Sequence, residues 1–296
     1  MSRRLTLTLA PHHESILIGD ILRRELQFSA AIIRRIKWLD DGILLDGEKV
    51  PTRHYGKAGQ VLSALIGEEN RRSDILPVYG NLNIVYEDED FLVLNKDSGV
   101  VVHPTHCHKT DTLGNFLLYY YDSKGFGGEF HPVHRLDRGT SGLLLIAKHP
   151  YAQERFTQQL HSPELKREYL ALCWGKVYPE EGQISAPILS TGEMKRLVHP
   201  KGLPALTHYK TLKQGKLGER DFSLVTLALE TGRTHQIRVH LSHLGHPLLG
   251  DELYGQGDIL SHCALHAYRL SLLHPITKKP MVFTCPPPED MMALLP

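Results

Sequence analysis

Apolar residues recur along this chain with several different spacings, and each spacing predicts a different element. Between Ser15 and Leu39, Ile18, Ile21, Leu22 and Leu26 fall at helical spacing. Ile32, Ile33, Ile36 and Leu39 repeat the pattern, with Ser29 placed to cap the second helix. Gly42–Val50 reads as two short strands hinged at Asp46-Gly47, a pair suited to a type I′ turn. A polar stretch over 67–74 follows, a linker or an ordered loop. Strands are then expected at Leu82–Tyr86 and Phe91–Asn95, and a helix at Thr112–Tyr121. Gly142–Lys148 is apolar nearly without interruption, as in a strand covered on both faces. A helix at Ala152–Leu160 and a strand at Glu168–Trp174 come next. Phe222–Glu230 alternates with the period of a half-buried strand. Thr234–Leu244 reads as a helix stopped by Gly245, with Pro247 just beyond. These elements predict an α+β protein with a small unit over residues 14–72 and a larger one over 80–296, its strands joined in mixed order.

Size and composition agree with that picture and exclude few functions. With 296 residues, 41% hydrophobic and 23% charged, the chain is an ordinary globular protein, neither disordered nor fibrous. Its 34 basic and 33 acidic side chains leave a net charge of +1, which by itself gives no support to a nucleic-acid partner. The charges are unevenly placed, with basic pairs at Arg23-Arg24, Arg34-Arg35 and Arg71-Arg72 and an acidic run over 87–90. Cys107, Cys173, Cys263 and Cys285 lie far apart, with no C-x-x-C, and read as isolated thiols in a reducing compartment. The apolar stretch after Arg3-Arg4 is too short for a signal peptide, and no apolar run approaches the roughly 18 residues of a membrane span. A cytoplasmic protein without membrane association is expected.

Two segments carry chemistry. In His134-Arg-Leu-Asp-Arg-Gly-Thr-Ser-Gly142, Asp137 sits on a turn leading into the apolar strand, with Arg135 and Arg138 beside it. Arginine neighbours favour the ionised carboxylate that a nucleophile requires, and they could also grip phosphates. An ordinary turn bearing a surface ion pair is the competing account. In Glu230-Thr-Gly-Arg-Thr-His-Gln-Ile-Arg-Val-His240, Arg233, Gln236 and Arg238 gather near a helix start, an arrangement suited to an anion or a polar base edge. A glycosidase would need two carboxylates across the scissile bond, and Asp137 has no second acid in its motif. The 19 histidines and His103-Pro-Thr-His-Cys-His108 raise a metal site, but no H-E-x-x-H or paired C-x-x-C supports it.

His134–Gly142 resembles the catalytic motif of the RluA-type RNA pseudouridine synthases. Lys166–Gly175, with Tyr169, is similar to that family's second motif, and Thr231–Leu241 followed by Gly245–Asp251 resembles the third. Lesser echoes lie at Asp90–Lys96, Val101–Pro104, Leu265–Ala267 and His274-Pro275. Upstream, Ser15–Leu65 resembles the RNA-binding module named after small-subunit ribosomal protein S four. The chain departs from the family at Asp97, where proline is usual, and at Asp46-Gly47, where asparagine-glycine is usual.

The resemblance implies a mixed, mainly antiparallel catalytic sheet and the isomerisation of specific uridines in RNA. Ribosomal RNA is the first expectation and transfer RNA the second. It implies Asp137 as nucleophile, Tyr169 stacking on the base and a candidate to take the carbon-5 proton, and Arg238 orienting Asp137. Leu136 and Ile237 would pack on the uracil, and Gln236 would join them in holding the substrate. Arg135 would fill the gap left by a flipped nucleotide. Substrate and product are isomers, so no metal or organic cofactor is expected. The partner would be RNA and not DNA, and the protein a monomer. The alternative is a non-catalytic RNA-binding protein that keeps the fold, which would leave Asp137, Tyr169 and Arg238 out of reach of one another.

Overall fold

The computed structural model describes residues 3–67, 73–257 and 259–295, so most of the expected linker over 67–74, and the pair Arg71-Arg72, lie outside the described residues. Two sheets carry two separate cores. In the smaller, β1 (Arg4–Thr8), α1 (Ile18–Arg24), α2 (Ala30–Ile36), β2 (Ile43–Leu45), β3 (Glu48–Lys49) and β4 (Val61–Leu65) build a four-stranded sheet of order β1-β4-β2-β3 under two helices. Ser29 caps α2 by accepting the Ile32 N–H at 3.2 Å. Asp46 (φ 50°) and Gly47 (φ 87°) take the two left-handed positions of a type I′ turn. The apolar positions of the two helices meet Ile43, Leu45, Leu62 and Ala64 in one core. β1, N-terminal to the residues read as the small unit, pairs antiparallel with β4 along its whole length.

The larger sheet is mainly antiparallel. Its elements are β5 (Ile84–Glu87), β6 (Phe91–Lys96), α3 (Leu113–Ser123), β7 (His131–Pro132), β8 (Ser141–Ala147), α4 (Pro150–Gln159), β9 (Lys166–Trp174) and β10 (Glu181–Ser185). β11 (Ile188–Ser190), β12 (Arg196–Val198), β13 (Leu206–Leu217), β14 (Arg220–Leu229), α5 (Gln236–His243), β15 (Leu265–Leu273), β16 (Pro280–Thr284) and α6 (Glu289–Met292) follow. The main order is β10-β13-β14-β9-β15-β8-β6-β5, with β16 on β15, β7 on β8, and β11-β12 a separate pair. Only the β15–β8 pairing is parallel among the described strands. The α+β expectation holds, and the sheet is mixed with antiparallel pairs dominant.

β8 is buried at every position, as its unbroken apolar run requires. Leu144 and Ile146 face the core under α3 and α5, while Leu143, Leu145 and Ala147 face the core under α4. Gly142 is where β8 meets β15. It has φ 109°, and a Cβ there would lie 2.4 Å from the Ala267 carbonyl oxygen, so only glycine permits the approach. The two cores join at α4, where Tyr151 packs into the small core and its hydroxyl donates to the Leu26 carbonyl at 2.9 Å. Arg3 extends from β1 and donates from Nε and Nη2 to the two oxygens of buried Asp90.

Candidate active site

Register across the central strands brings the three motifs together. Leu227 on β14 lies opposite Tyr169 on β9, Tyr169 opposite Ala267 on β15, and Ala267 opposite Gly142 on β8. This row crosses the strands near the start of β8, just after the turn that bears Asp137. Over its end sits a cleft of about 400 Å³ lined by Arg135, Leu136, Asp137, Tyr169, Ile237 and Arg238 among others. All seven residues given a site role by the resemblance border it, Gln236 included, while Arg138 does not.

Asp137 stands at the mouth, with its side chain about a quarter exposed. Its turn is closed by the Thr140 N–H donating to the Asp137 carbonyl at 3.1 Å. The turn is braced from outside by the 97–100 loop, where the Gly99 N–H donates to the Arg138 carbonyl and the Arg138 Nε donates to the Gly99 carbonyl. Lys96, buried at the end of β6, fixes both pieces by donating to the carbonyls of Asp97, Val100 and Arg138. Burial lowers its ammonium to about 8, although the Asp137 and Asp97 carboxylates pull the other way.

Arg238 approaches Asp137 Oδ2 with Nη1 at 3.6 Å. Its tighter partner is Asp251, which is fully buried and accepts from Nε and Nη2 at 2.8 Å each. Burial alone would depress the guanidinium, but the Asp251 hydrogen bonds and charge outweigh it and hold Arg238 above its usual value. Burial would raise the Asp251 carboxyl, and Arg238 holds it below the usual range instead. Arg238 is therefore fixed by Asp251 and presented to Asp137. Asp251 closes the third motif but carried no assigned role, because nothing local in the sequence pairs an acid with an arginine thirteen residues away.

Tyr169 is buried, and burial raises its phenol, Arg167 opposing and Asp137 adding to the shift. The ring meets the cleft as an un-ionised apolar wall. Leu136 and Ile237 are buried walls as well. Gln236 is buried and fully engaged: its oxygen accepts from Thr231 Oγ1 and the Arg233 N–H, and its nitrogen donates to the Leu206 carbonyl and Thr207 Oγ1. It thus fastens the 231–236 turn to β13. The helix after this turn starts at Gln236, two residues later than its sequence suggests, because His235 takes a left-handed conformation (φ 58°, ψ 20°). Arg135 is exposed at the rim, and Arg167 and Arg233 also line the cleft. With Arg238 they make four guanidinium groups around one or two carboxylates, a setting that favours an anionic substrate. Arg167 and His235 were given no role from sequence.

His134 is spoken for structurally. It is buried, burial and then Arg167 lower it to about 3, and its Nε2 accepts from the Leu145 N–H at 3.3 Å. Among the described residues the potential metal-ligand group is Asp88, Asp90 and His274, with ligand atoms within 4.8 Å of one another. Arg3 and His149 already occupy Asp90, so these residues form an ion-pair network. The His103–His108 segment does not converge on a common point.

Comparison with known proteins agrees with the geometry. Residues 90–243 match the family model described as RNA pseudouridylate synthase. The uncharacterized RNA pseudouridine synthase YhcT of Bacillus subtilis (strain 168) is 43% identical, over 99% of this chain and 96% of its own length. Ribosomal large subunit pseudouridine synthase D of Yersinia pestis is 39% identical, over 88% of this chain and 85% of its own. Among solved structures, human RNA pseudouridylate synthase domain containing 1 superposes with a TM-score of 0.57 at 31% identity, covering 74% of this chain and 86% of that one. Fold, site and relatives agree that the chain belongs to the RNA pseudouridylate synthase family and is an RNA pseudouridine synthase.

Proposed function

We propose that the protein isomerises uridines of ribosomal RNA, after flipping each target nucleotide into the cleft, with Asp137 as the nucleophile. One observation carries the assignment of Asp137: three motifs distant in sequence bring its carboxylate, the Arg238 guanidinium and the Tyr169 ring to one cleft. Relatives named for the ribosomal large subunit support the choice of RNA. Arg238 brings its guanidinium to 3.6 Å from Asp137 Oδ2, and the buried Asp251 holds Arg238 in place there. Tyr169, Leu136 and Ile237 are apolar surfaces for a uracil ring during cleavage and rotation. Because burial keeps the Tyr169 phenol un-ionised, it serves as wall and hydrogen-bond partner. The carbon-5 proton then passes most directly to a carboxylate such as Asp137. Arg135, exposed beside the nucleophile, takes the space the flipped base vacates, and Arg167 and Arg233 hold the displaced backbone. Gln236 acts by fixing the turn that carries Ile237 and Arg238.

The small unit, read from the sequence as residues 14–72 and extended by β1, acts as an RNA-binding module packed on the catalytic unit 80–296. Arg23, Arg24 and Arg34 are exposed on its helices, and Trp38, exposed just after α2, has the Lys37 ammonium over its ring. No described helix is long and apolar enough to cross a membrane. The protein works as a cytoplasmic monomer. The test is tritium release from RNA labelled at uracil carbon-5, taken from a host lacking the enzyme and separated into ribosomal and transfer fractions. Release from the ribosomal fraction by the parent, and none by Asp137→Asn, is expected. Release from the transfer fraction alone would overturn the choice of RNA, and release by the variant would overturn the nucleophile.

A further inference from the structure

We propose that His235 is a positioning residue for Asp137, locked by Tyr254 with its proton on Nε2, so that this N–H and Arg238 together clamp Oδ2 and leave Oδ1 free to react. The inference rests on Asp137 being the nucleophile. His235 Nε2 lies 4.0 Å from Asp137 Oδ2, the same oxygen that Arg238 Nη1 approaches at 3.6 Å. The other ring nitrogen, Nδ1, lies 2.9 Å from the Tyr254 hydroxyl. That hydroxyl accepts the Arg196 N–H at 2.7 Å. Its own proton then goes to Nδ1, its one acceptor among the described contacts. A neutral ring that accepts at Nδ1 carries its hydrogen at Nε2, facing Asp137. Burial lowers His235, and Arg238 and Arg196 push the same way against Asp137 and Asp251, so the ring is neutral at neutral pH.

Two further features mark His235 as more than a helix cap. Its left-handed backbone, uncommon outside glycine, turns the chain there and delays the helix start to Gln236. Its support also shares an anchor with Arg238. Asp251 Oδ1 accepts the Tyr254 backbone N–H at 3.0 Å as well as the Arg238 Nη2 hydrogen bond. Both donors to Asp137 are thus set by one buried carboxylate. At 4.0 Å the His235 contact is longer than a hydrogen bond, and a closure of about 1 Å on substrate binding makes it one.

The amide isosteres of histidine test this directly. Asn places an N–H near Nδ1 and suits the left-handed backbone, but cannot reach Asp137. Gln places one near Nε2. Single-turnover tritium release on 5-labelled total RNA, from the host lacking the enzyme, should show His235→Asn losing about tenfold in rate with RNA affinity unchanged. His235→Gln should restore most of that loss. Tyr254→Phe should lose severalfold, and combining it with His235→Asn should add little, since both act through one contact. Asn performing as well as Gln, or a loss confined to RNA affinity, overturns the proposal. Asp137→Asn runs alongside. Its loss together with an unaffected His235→Asn removes only this inference, whereas its activity removes the underlying reading. If His235→Asn does not fold, Tyr254→Phe at the parent's rate is equally decisive against the proposal.

Discussion

Asp251→Asn tests the load carried by the buried pair behind Asp137, the proposed nucleophile. In the parent, Asp251 is fully buried, with two charge-assisted bonds to Arg238 and backbone N–H donors from Leu253 and Tyr254 on Oδ1. Asparagine keeps an acceptor for the backbone donors but presents its NH₂ group to a guanidinium, donor against donor. Arg238, with a side chain only 10% exposed, keeps the Nη2 bond to the remaining oxygen but loses its Nε acceptor and the buried negative charge, so Asp137 at 3.6 Å becomes its remaining carboxylate partner. Removing one partner of a buried ion pair costs about 3–5 kcal/mol, and the remaining carboxylate puts this case near 3. For a chain of this size that is a fall of about 6–12 °C in melting temperature. Arg238 also relaxes onto Asp137 and quenches it, so turnover well below the melting range falls by about tenfold or more. The pH dependence fixes the cause. Asp251 has a folded value below its unfolded one, so its contribution is full above about pH 4 and is lost as pH falls through the folded value. Urea unfolding of both proteins at pH 7 and at successively lower pH, with tritium release at 20 °C, makes the measurement. A gap under about 1 kcal/mol at pH 7, or one that does not narrow in acid, refutes the reasoning.

Asp90 gives a second pH signature, because Arg3 and His149 overcome its burial and hold its carboxyl down at about 2. Its stabilisation, about 2–3 kcal/mol, is present above about pH 4 and lost on acidifying through pH 2. Asp90→Asn should show a flatter acid limb in urea titrations, and an unchanged limb would refute the linkage. Gly142→Ala should destabilise by several kcal/mol, on the order of backbone strain plus a clash with the Ala267 carbonyl, or yield insoluble protein. A melting temperature within about 2 °C of the parent's would show that the β8–β15 approach is not as tight as described. RNA affinity should fall steeply with salt, and replacing exposed Arg24 and Arg34 by alanine should reduce the log–log slope by about one unit per lost contact. Filter binding from 50 to 200 mM salt measures it, and an unchanged slope would place the RNA elsewhere.

The elements legible in the sequence are those whose signals are local. Ser29 caps its helix as its neighbours suggest, Asp46-Gly47 turns the hairpin, and the apolar run of β8 is buried on both faces. β13 had no such signal. Over Lys210–Lys216 it is polar and largely exposed, and it is a strand because β14 pairs with it along nearly its whole length. β1 likewise depends on β4, more than fifty residues away. Asp137, Tyr169 and Arg238, which share the cleft, were legible as candidates because each sits in a compact motif. Asp251, Lys96 and His235 were not, since their roles arise from a buried pairing, three carbonyls gathered by folding, and a left-handed turn.

What converts separate motifs into one cleft is register. Tyr169 faces the core that also holds Leu144, Leu227 and Ile237, so it points to the side of the sheet on which α5 lies. Strand side chains alternate with period two, and a one-residue slip of β9 would send Tyr169 to the opposite face and bring Glu168 or Leu170 into its place. Its two neighbours, β14 and β15, hold it against such a slip, and Gly142 aligns β15 with the start of β8. The carboxylate follows from the same alignment, because the turn bearing Asp137 begins where β8 can first approach β15. Changes at Gly142 should therefore reach the chemistry through the placement of Asp137 against Tyr169, and not through stability alone.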